Sequence, residues 1–255
     1  MNIGFIGTGE IAAAMVHGLE RKGHAIFVSE RNVHVAADLA ADVDGLTVCD
    51  NQTVLDKSDV VFLCLMADVA REVLPGLTFR DDHRLISAMV DVDLAALGTL
   101  CAPATEIAIT IPMPFIAKGG CPLPVFPESP ALREVFGEDN QIILLAEEAA
   151  MNPHFAASAL SSALFSMLDT GADWLGQHTG DAQSAEAYVA SLFAGYFRHL
   201  PTDGAGRFGE VIASLSTTGG LNSTLREHLK REGAYDALLS GLDGFEERLG
   251  LHPRL

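Results

Sequence analysis

Gly7, Gly9 and Ala12 stand at the spacing G-x-G-x-x-A within Met1-Asn2-Ile3-Gly4-Phe5-Ile6-Gly7-Thr8-Gly9-Glu10-Ile11-Ala12. Small residues in that pattern, just after an apolar run, suit the binding of phosphate. Gly7 permits a tight turn, Gly9 lets a diphosphate approach the backbone, and Ala12 lets a following helix lie close to the strand. The start of that helix offers free N–H groups and a partial positive charge. The expected chemistry is dinucleotide binding, with Gly7, Thr8, Gly9, Glu10 and Ile11 around the pyrophosphate. The plainer alternative is a glycine turn in an unrelated strand-to-helix junction. Two features weigh against it. Ile11, Met15 and Leu19 line one face of the helix expected over Ile11–Glu20. A second apolar strand, Ala25–Ser29, follows Arg21-Lys22-Gly23 and ends at a polar cluster about 20 residues beyond the glycines, where ribose recognition belongs.

That cluster, Ser29-Glu30-Arg31-Asn32, bears on the choice between NAD and NADP. A carboxylate there favours a ribose 2′-hydroxyl, whereas a hydroxyl or arginine favours a 2′-phosphate. Both kinds are present. NADP is the favoured reading, with Ser29 and Arg31 as its ligands, because a guanidinium matches phosphate geometry. NAD stays open.

These residues need a scaffold, and the first half of the chain alternates strand and helix. Strands are expected at Asn2–Ile6, Ala25–Ser29, Leu46–Val48, Val60–Leu65, Arg84–Ala88 and Glu106–Thr110. Val60-Val61-Phe62-Leu63-Cys64-Leu65 and Ile107-Ala108-Ile109-Thr110-Ile111 are almost continuously apolar, as in strands covered on both faces. Helices are expected between them at Ile11–Glu20, Val33–Ala41, Thr53–Asp56, Val69–Leu74 and Asp93–Leu100. The fold class is therefore a doubly wound, Rossmann-type parallel α/β sheet. Pro112–Pro130 is rich in proline and glycine; it is expected to be non-helical, with an edge strand near Val125. A strand at Gln141–Leu145, a helix at Pro153–Leu168 and a last edge strand at Ala172–Leu175 complete a first domain over 1–177. From 178 to 255 only helices are expected: Ser184–Leu200, Gly204–Leu215, Ser223–Glu232 and Tyr235–Leu249. So short a helical region has little core of its own and is expected to pack against the first domain and against a second copy.

Composition narrows the partners. The chain has 255 residues, 16 Lys+Arg against 34 Asp+Glu, and a formal net charge of −18. That balance argues against nucleic acid and anionic membrane. Cys49, Cys64, Cys101 and Cys121 have no metal-type spacing, and the nine histidines form no ligand pair, so no metal is expected. Free thiols, no signal peptide and no apolar run of membrane-spanning length lead to the expectation of a cytoplasmic protein.

Longer stretches resemble the pyrroline-5-carboxylate reductase family. Residues 3–12 resemble its opening I-G-F-I-G-x-G-N-M-A, and Ser58–Leu65 with Val73-Leu74 resemble its A-D-V-V-x-L-A-V-K-P and downstream V-L. Ser87-Ala88-Met89-Val90 is similar to its next strand end. Ile111-Pro112-Met113-Pro114 stands where the family has M-P-N-T-P. Ser184 with Ala187-Tyr188 stands at G-S-G-P-A-Y, and Thr217-Thr218-Gly219-Gly220-Leu221-Asn222 at S-P-G-G-T-T. The resemblance implies a Rossmann domain followed by a helical dimerisation domain, and hydride transfer from NAD(P)H to the C=N carbon of a cyclic imine, giving proline. It places substrate at the dimer interface, between the nicotinamide and the glycine turn. Leu65, Met66 and Pro112 would flank the cofactor. Gly219 and Gly220 would bind substrate, with Ser184, Thr218 and Asn222 as catalytic candidates and Tyr188 a weaker one. A glycine turn that opens a helix can hold a carboxylate on its own chemistry; the alternative is a plain connector.

The departures are specific. Met66 replaces the family's lysine, Met113 its asparagine, Glu186 a proline, and Leu221-Asn222 a pair of threonines. Other cyclic imines or ketimines therefore remain candidate substrates. The alternatives in other classes are a hydroxyacid dehydrogenase of similar plan, a nucleotide sensor without catalysis and, less favoured, a deazaflavin-linked redox protein.

Overall fold

The apolar runs read as buried strands form the middle of one sheet. In this computed structural model, which describes residues 1–20, 22–200 and 204–251, two compact units are present, Met1–Phe155 and Ala156–Leu255. Unit 1 contains β1 (Asn2–Ile6), α1 (Glu10–Leu19), β2 (Ala25–Ser29), α2 (Val33–Asp42), β3 (Leu46–Cys49), α3 (Asn51–Lys57), β4 (Val60–Leu63), α4 (Ala67–Val73), β5 (Arg84–Ser87), α5 (Leu94–Leu100), β6 (Glu106–Thr110), β7 (Pro122–Phe126), α6 (Pro130–Phe136), β8 (Gln141–Leu144) and most of α7 (Met151–Ser158). Strand order is β3-β2-β1-β4-β5-β6-β7-β8. All neighbours are parallel except β6 and β7. This is the expected doubly wound sheet, with its order reversing beside β1.

Strand periodicity divides the core. Ile3, Phe5, Val60 and Phe62 point to one face, packed with Met15, Leu19 and Phe136. Ile6, Val61, Leu63 and Leu85 point to the other, with Leu74 and Leu97. Phe5 stacks on Phe62 at 5.1 Å between ring centroids, and Phe136 meets Phe62 edge-on at 5.6 Å. Each of these aromatics, fully buried, contributes roughly 1.5–3 kcal/mol of transfer free energy.

The strand near Val125 is not at an edge. β7 lies between β6 and β8. The carbonyls of Cys121 and Val125 accept from β8 at Gln141 N (3.0 Å) and Leu145 N (3.0 Å). Pro122 and Pro124 alternate with them, so their missing N–H groups face β6 and not β8, and on that side Thr110 Oγ1 donates to Pro124 O at 2.8 Å. The proline-rich passage also forms a 3-10 turn at Pro114–Lys118, contrary to the expectation of no helix. That turn sits against α1, where Gly18 leaves no Cβ to meet Ile116 O.

Unit 2 is helical: α8 (Leu160–Thr179), α9 (Ala182–Arg198), α10 (Arg207–Ser214), α11 (Leu221–Arg231), α12 (Ala234–Asp243) and α13 (Glu246–Leu249). The strand expected at Ala172–Leu175 is the middle of α8, because its apolar run belongs to a longer 3.6-residue pattern. The domain boundary expected at 177/178 falls inside α8, whereas the units divide at 155/156. The helix expected over Pro153–Leu168 is broken between Ser158 and Leu160. α8 and α9 pack as a hairpin through Ala172, Gly176 and Ala185, with Gly180 in the left-handed conformation closing α8. Small residues at that contact let the backbones approach, but they bury little apolar area. Phe165, Trp174, Phe197, Phe208 and Leu225 stay exposed. Among the described residues no helix is long and apolar enough to cross a membrane.

Candidate functional site

The glycine turn lies at the C-terminal end of β1, beside the switch in strand order. Gly7 has φ +94°, and a Cβ there would sit 2.4 Å from Cys64 O, so the turn and the end of β4 fit only without a side chain. Gly9 differs. It is the N-cap of α1, no side chain caps the helix, and a Cβ built there meets nothing within 4 Å. The first-turn N–H groups of α1 therefore end at open space. Gly7, Thr8 and Gly9 line an open cleft of about 520 Å³. Its other walls include Arg31, Asn32, His34, Cys64, Leu65 and Met66. The donor set suits a dinucleotide diphosphate: backbone N–H groups and a helix N-terminus at one end, a guanidinium at the other.

The remaining positions sort by exposure. Glu10 is exposed, so only its backbone N–H serves an anion, and Ile11 is half-buried. Met66 is 76% exposed at the start of α4, and Leu65 stands beside it on the cleft wall. Pro112 is buried just past β6. Burial pushes the Cys64 thiol up to about 12, which leaves it protonated and unreactive. Arg31 is exposed on the cleft wall. Glu30 lines a neighbouring depression with Ala36, Ala37 and Val48 and does not line the glycine-turn cleft.

Ser29 is a correction. Expected as a 2′-phosphate ligand, it is 1% exposed and turned under the glycine turn. Its Oγ accepts from Gly7 N at 2.9 Å, and Thr8 Oγ1 donates to Ser29 O at 2.5 Å. The β2 end curls so that its last side chain meets the β1 turn rather than the cleft. His34 was not singled out from the sequence. Its signal was position: it falls in the first turn of α2, two residues after the cap Asn32, whose Oδ1 accepts from Val35 N at 3.4 Å.

Unit 2 holds the other candidates. Gly219 has φ +72°, and Gly220 N donates to Thr217 O at 2.9 Å, closing a turn directly before α11. Gly220 caps α11 without a side-chain bond, and Ser223 Oγ donates to Gly220 O at 2.9 Å. Thr218, Gly219, Gly220 and Asn222 thus share one turn, exposed apart from a half-buried Gly220. Ser184 lies on a different helix. Its Oγ donates to Asp181 Oδ2 at 2.6 Å, which holds the Asp181 carboxyl below its ordinary value. Tyr188 is exposed on the same helix. No group of residues that could hold a metal occurs among the described residues.

Residues 2–91 match the family described as "NADP oxidoreductase coenzyme F420-dependent". A reductase from Streptococcus pyogenes, 1-pyrroline-5-carboxylate reductase, superposes with TM-score 0.80 at 19% identity, covering 98% of each chain. The fold is that of the pyrroline-5-carboxylate reductases. A pyrroline carboxylate reductase from Plasmodium falciparum with NADP bound gives TM-score 0.80 at 14% identity over 97% of this chain and 96% of that one. A reductive aminase from Aspergillus terreus in complex with NADPH gives 0.60 at 15% identity, covering 98% and 88%. No curated protein sequence matches. The pyrroline-5-carboxylate reductase fold thus extends over nearly the whole chain, which agrees with the resemblance in the sequence motifs.

Proposed function

We propose that the chain is an NADPH-dependent reductase of a cyclic imine such as 1-pyrroline-5-carboxylate, working as a homodimer. The carrying observation is the cleft at the β1 end, where the Gly7-Thr8-Gly9 turn faces Arg31 and, among the described residues, no acidic side chain lines the wall. The relatives solved with NADP and NADPH support the same cofactor. When bound, the nucleotide supplies the hydride. Thr8, Gly9 and the first turn of α1 hold the diphosphate, Arg31 takes the 2′-phosphate, and Leu65, Met66 and Pro112 flank the cofactor. In unit 2, the turn Thr218–Asn222 and the uncapped start of α11 anchor the substrate carboxylate, as a helix N-terminus does for anions. The Ser184 hydroxyl donates its hydrogen bond to Asp181, so towards a substrate its oxygen offers an acceptor. An imine that arrives protonated needs positioning more than acid–base help, and positioning supplies most of the rate. The exposed apolar faces of unit 2 are covered by the second copy.

The test is NADPH oxidation with 1-pyrroline-5-carboxylate beside five- and six-membered cyclic imines. Turnover of at least one is expected, with Asn222→Ala raising KM and leaving NADPH affinity intact. No turnover with any imine, together with tight NADPH binding, would instead favour a nucleotide sensor.

A further inference from the structure

We propose that Ser29 is the positioning residue of the nucleotide site: it sets the glycine turn through a closed ring of hydrogen bonds and takes no part in choosing NADPH over NADH. The inference rests on the nucleotide-site reading above. Proton counting gives the ring its direction. Gly7 N–H donates to Ser29 Oγ at 2.9 Å. Thr8 has one hydroxyl proton, and at 2.5 Å it goes to Ser29 O. The remaining contact, Thr8 Oγ1 to Ser29 Oγ at 3.1 Å, must then be filled by the serine proton. Every donor is used once, so the Ser29 hydroxyl has no proton left for a ligand.

The ring sits where it controls what the cofactor meets. It joins the last residue of β2 to the first two residues after β1, and all three residues are buried. The backbone of Thr8 and Gly9 continues directly from it into the cleft and into α1. Fixing Gly7 at φ +94° fixes the direction of the N–H groups that follow. Ser29 therefore acts through the diphosphate, which NADPH and NADH share. Choice at the 2′ position falls to Arg31, which lines the cleft where Ser29 does not.

Calorimetric titration of the full chain with NADPH and, separately, NADH tests this. Ser29→Ala, which removes both hydrogen bonds of Ser29 Oγ, is expected to weaken both by about tenfold, with the NADPH/NADH ratio unchanged. Arg31→Ala is expected to lower the ratio and leave NADH affinity within about twofold. Should Ser29→Ala unfold, Thr8→Val removes one ring member at nearly constant volume, and Thr8→Ser restores it. The expected order of affinity for both nucleotides is wild type, then Thr8→Ser close to it, then Thr8→Val. A selective loss of NADPH in Ser29→Ala, or equal affinities in Thr8→Val and wild type, overturns the proposal. A wild-type chain that binds neither nucleotide overturns the reading of the site instead.

Discussion

Phe62 and Trp174 are both large aromatics within apolar segments, yet Phe62 is fully buried and Trp174 is 61% exposed. Phe62 lies in the centre of a sheet whose two faces are both covered, so every residue of its strand finds a neighbour. Trp174 lies on α8, whose described packing is the narrow hairpin contact with α9 through Ala172, Gly176 and Ala185. A helix pair covers one stripe of each helix and leaves the rest to something else. Unit 1 completes its own core, and unit 2 carries apolar faces that suit association. The same chemistry, an aromatic removed from its surroundings, should therefore cost stability in one unit and assembly in the other.

Substitution makes the contrast measurable. Phe62→Ala is expected to destabilise unit 1 by about 3–5 kcal/mol, since it removes the ring between Phe5 and Phe136 and leaves a cavity. Trp174→Ser should leave the unit 1 unfolding transition in urea within about 0.5 kcal/mol, while lowering the mass seen by light scattering at dilute concentration. Equal losses in both variants would break the distinction between the units.

The two glycines of the turn repeat the contrast within a few residues. Gly7→Ala meets Cys64 O and a positive φ together, so about 1–3 kcal/mol of stability should be lost. Gly9→Val has open space, so thermal stability should hold while NADPH binding disappears. One glycine is required by the fold and its neighbour by the ligand. A Gly9→Val chain that still bound NADPH would remove the diphosphate from this end of α1.

How far the sequence reveals the fold follows the same division. The central strands of unit 1 are legible because Val60–Leu63 and Ala108–Thr110 are buried on both faces, and burial of that kind writes itself into composition. The glycine turn is legible because its spacing is set by backbone sterics. Ser29 is not: whether a side chain at a strand end faces a cleft or a neighbouring turn depends on the curl of the chain in space. The placement of β7 is hidden for a related reason, since proline disfavours an interior strand unless its missing N–H falls where the ladder needs few donors, here the short pairing with β6. Ala172–Leu175 misleads because three apolar residues around Asp173 alternate as in an edge strand and also fit a long helix. The turn at Gly219 is visible as a glycine pair, but which of its neighbours touches a ligand is not written in their types.

Acid separates the units by a smaller margin. His83 is buried in unit 1, against Phe79. Its Nδ1 accepts from Arg80 N at 3.1 Å, which leaves Nε2–H to donate to Leu55 O at 3.2 Å. Both bonds belong to the neutral ring. Burial, then the Arg80 charge, lowers its pKa below the ordinary value, and burial lowers that of His24 too. In the unfolded chain each imidazole takes up a proton as pH falls through about 6.5, while the folded chain resists. The unfolded state then holds more protons, so stability falls with decreasing pH below about 6.5 and is fully present above it. The described histidines of unit 2, such as His178 and His228, are exposed. Urea midpoints for the unit 1 transition at about pH 7.5 and about pH 5.5 should therefore differ in the wild type and differ less in His83→Leu, although His83→Leu is weaker at both because Arg80 N loses the acceptor His83 Nδ1. An equal drop in His83→Leu would place the acid sensitivity of unit 1 elsewhere, with His24 the next group to replace.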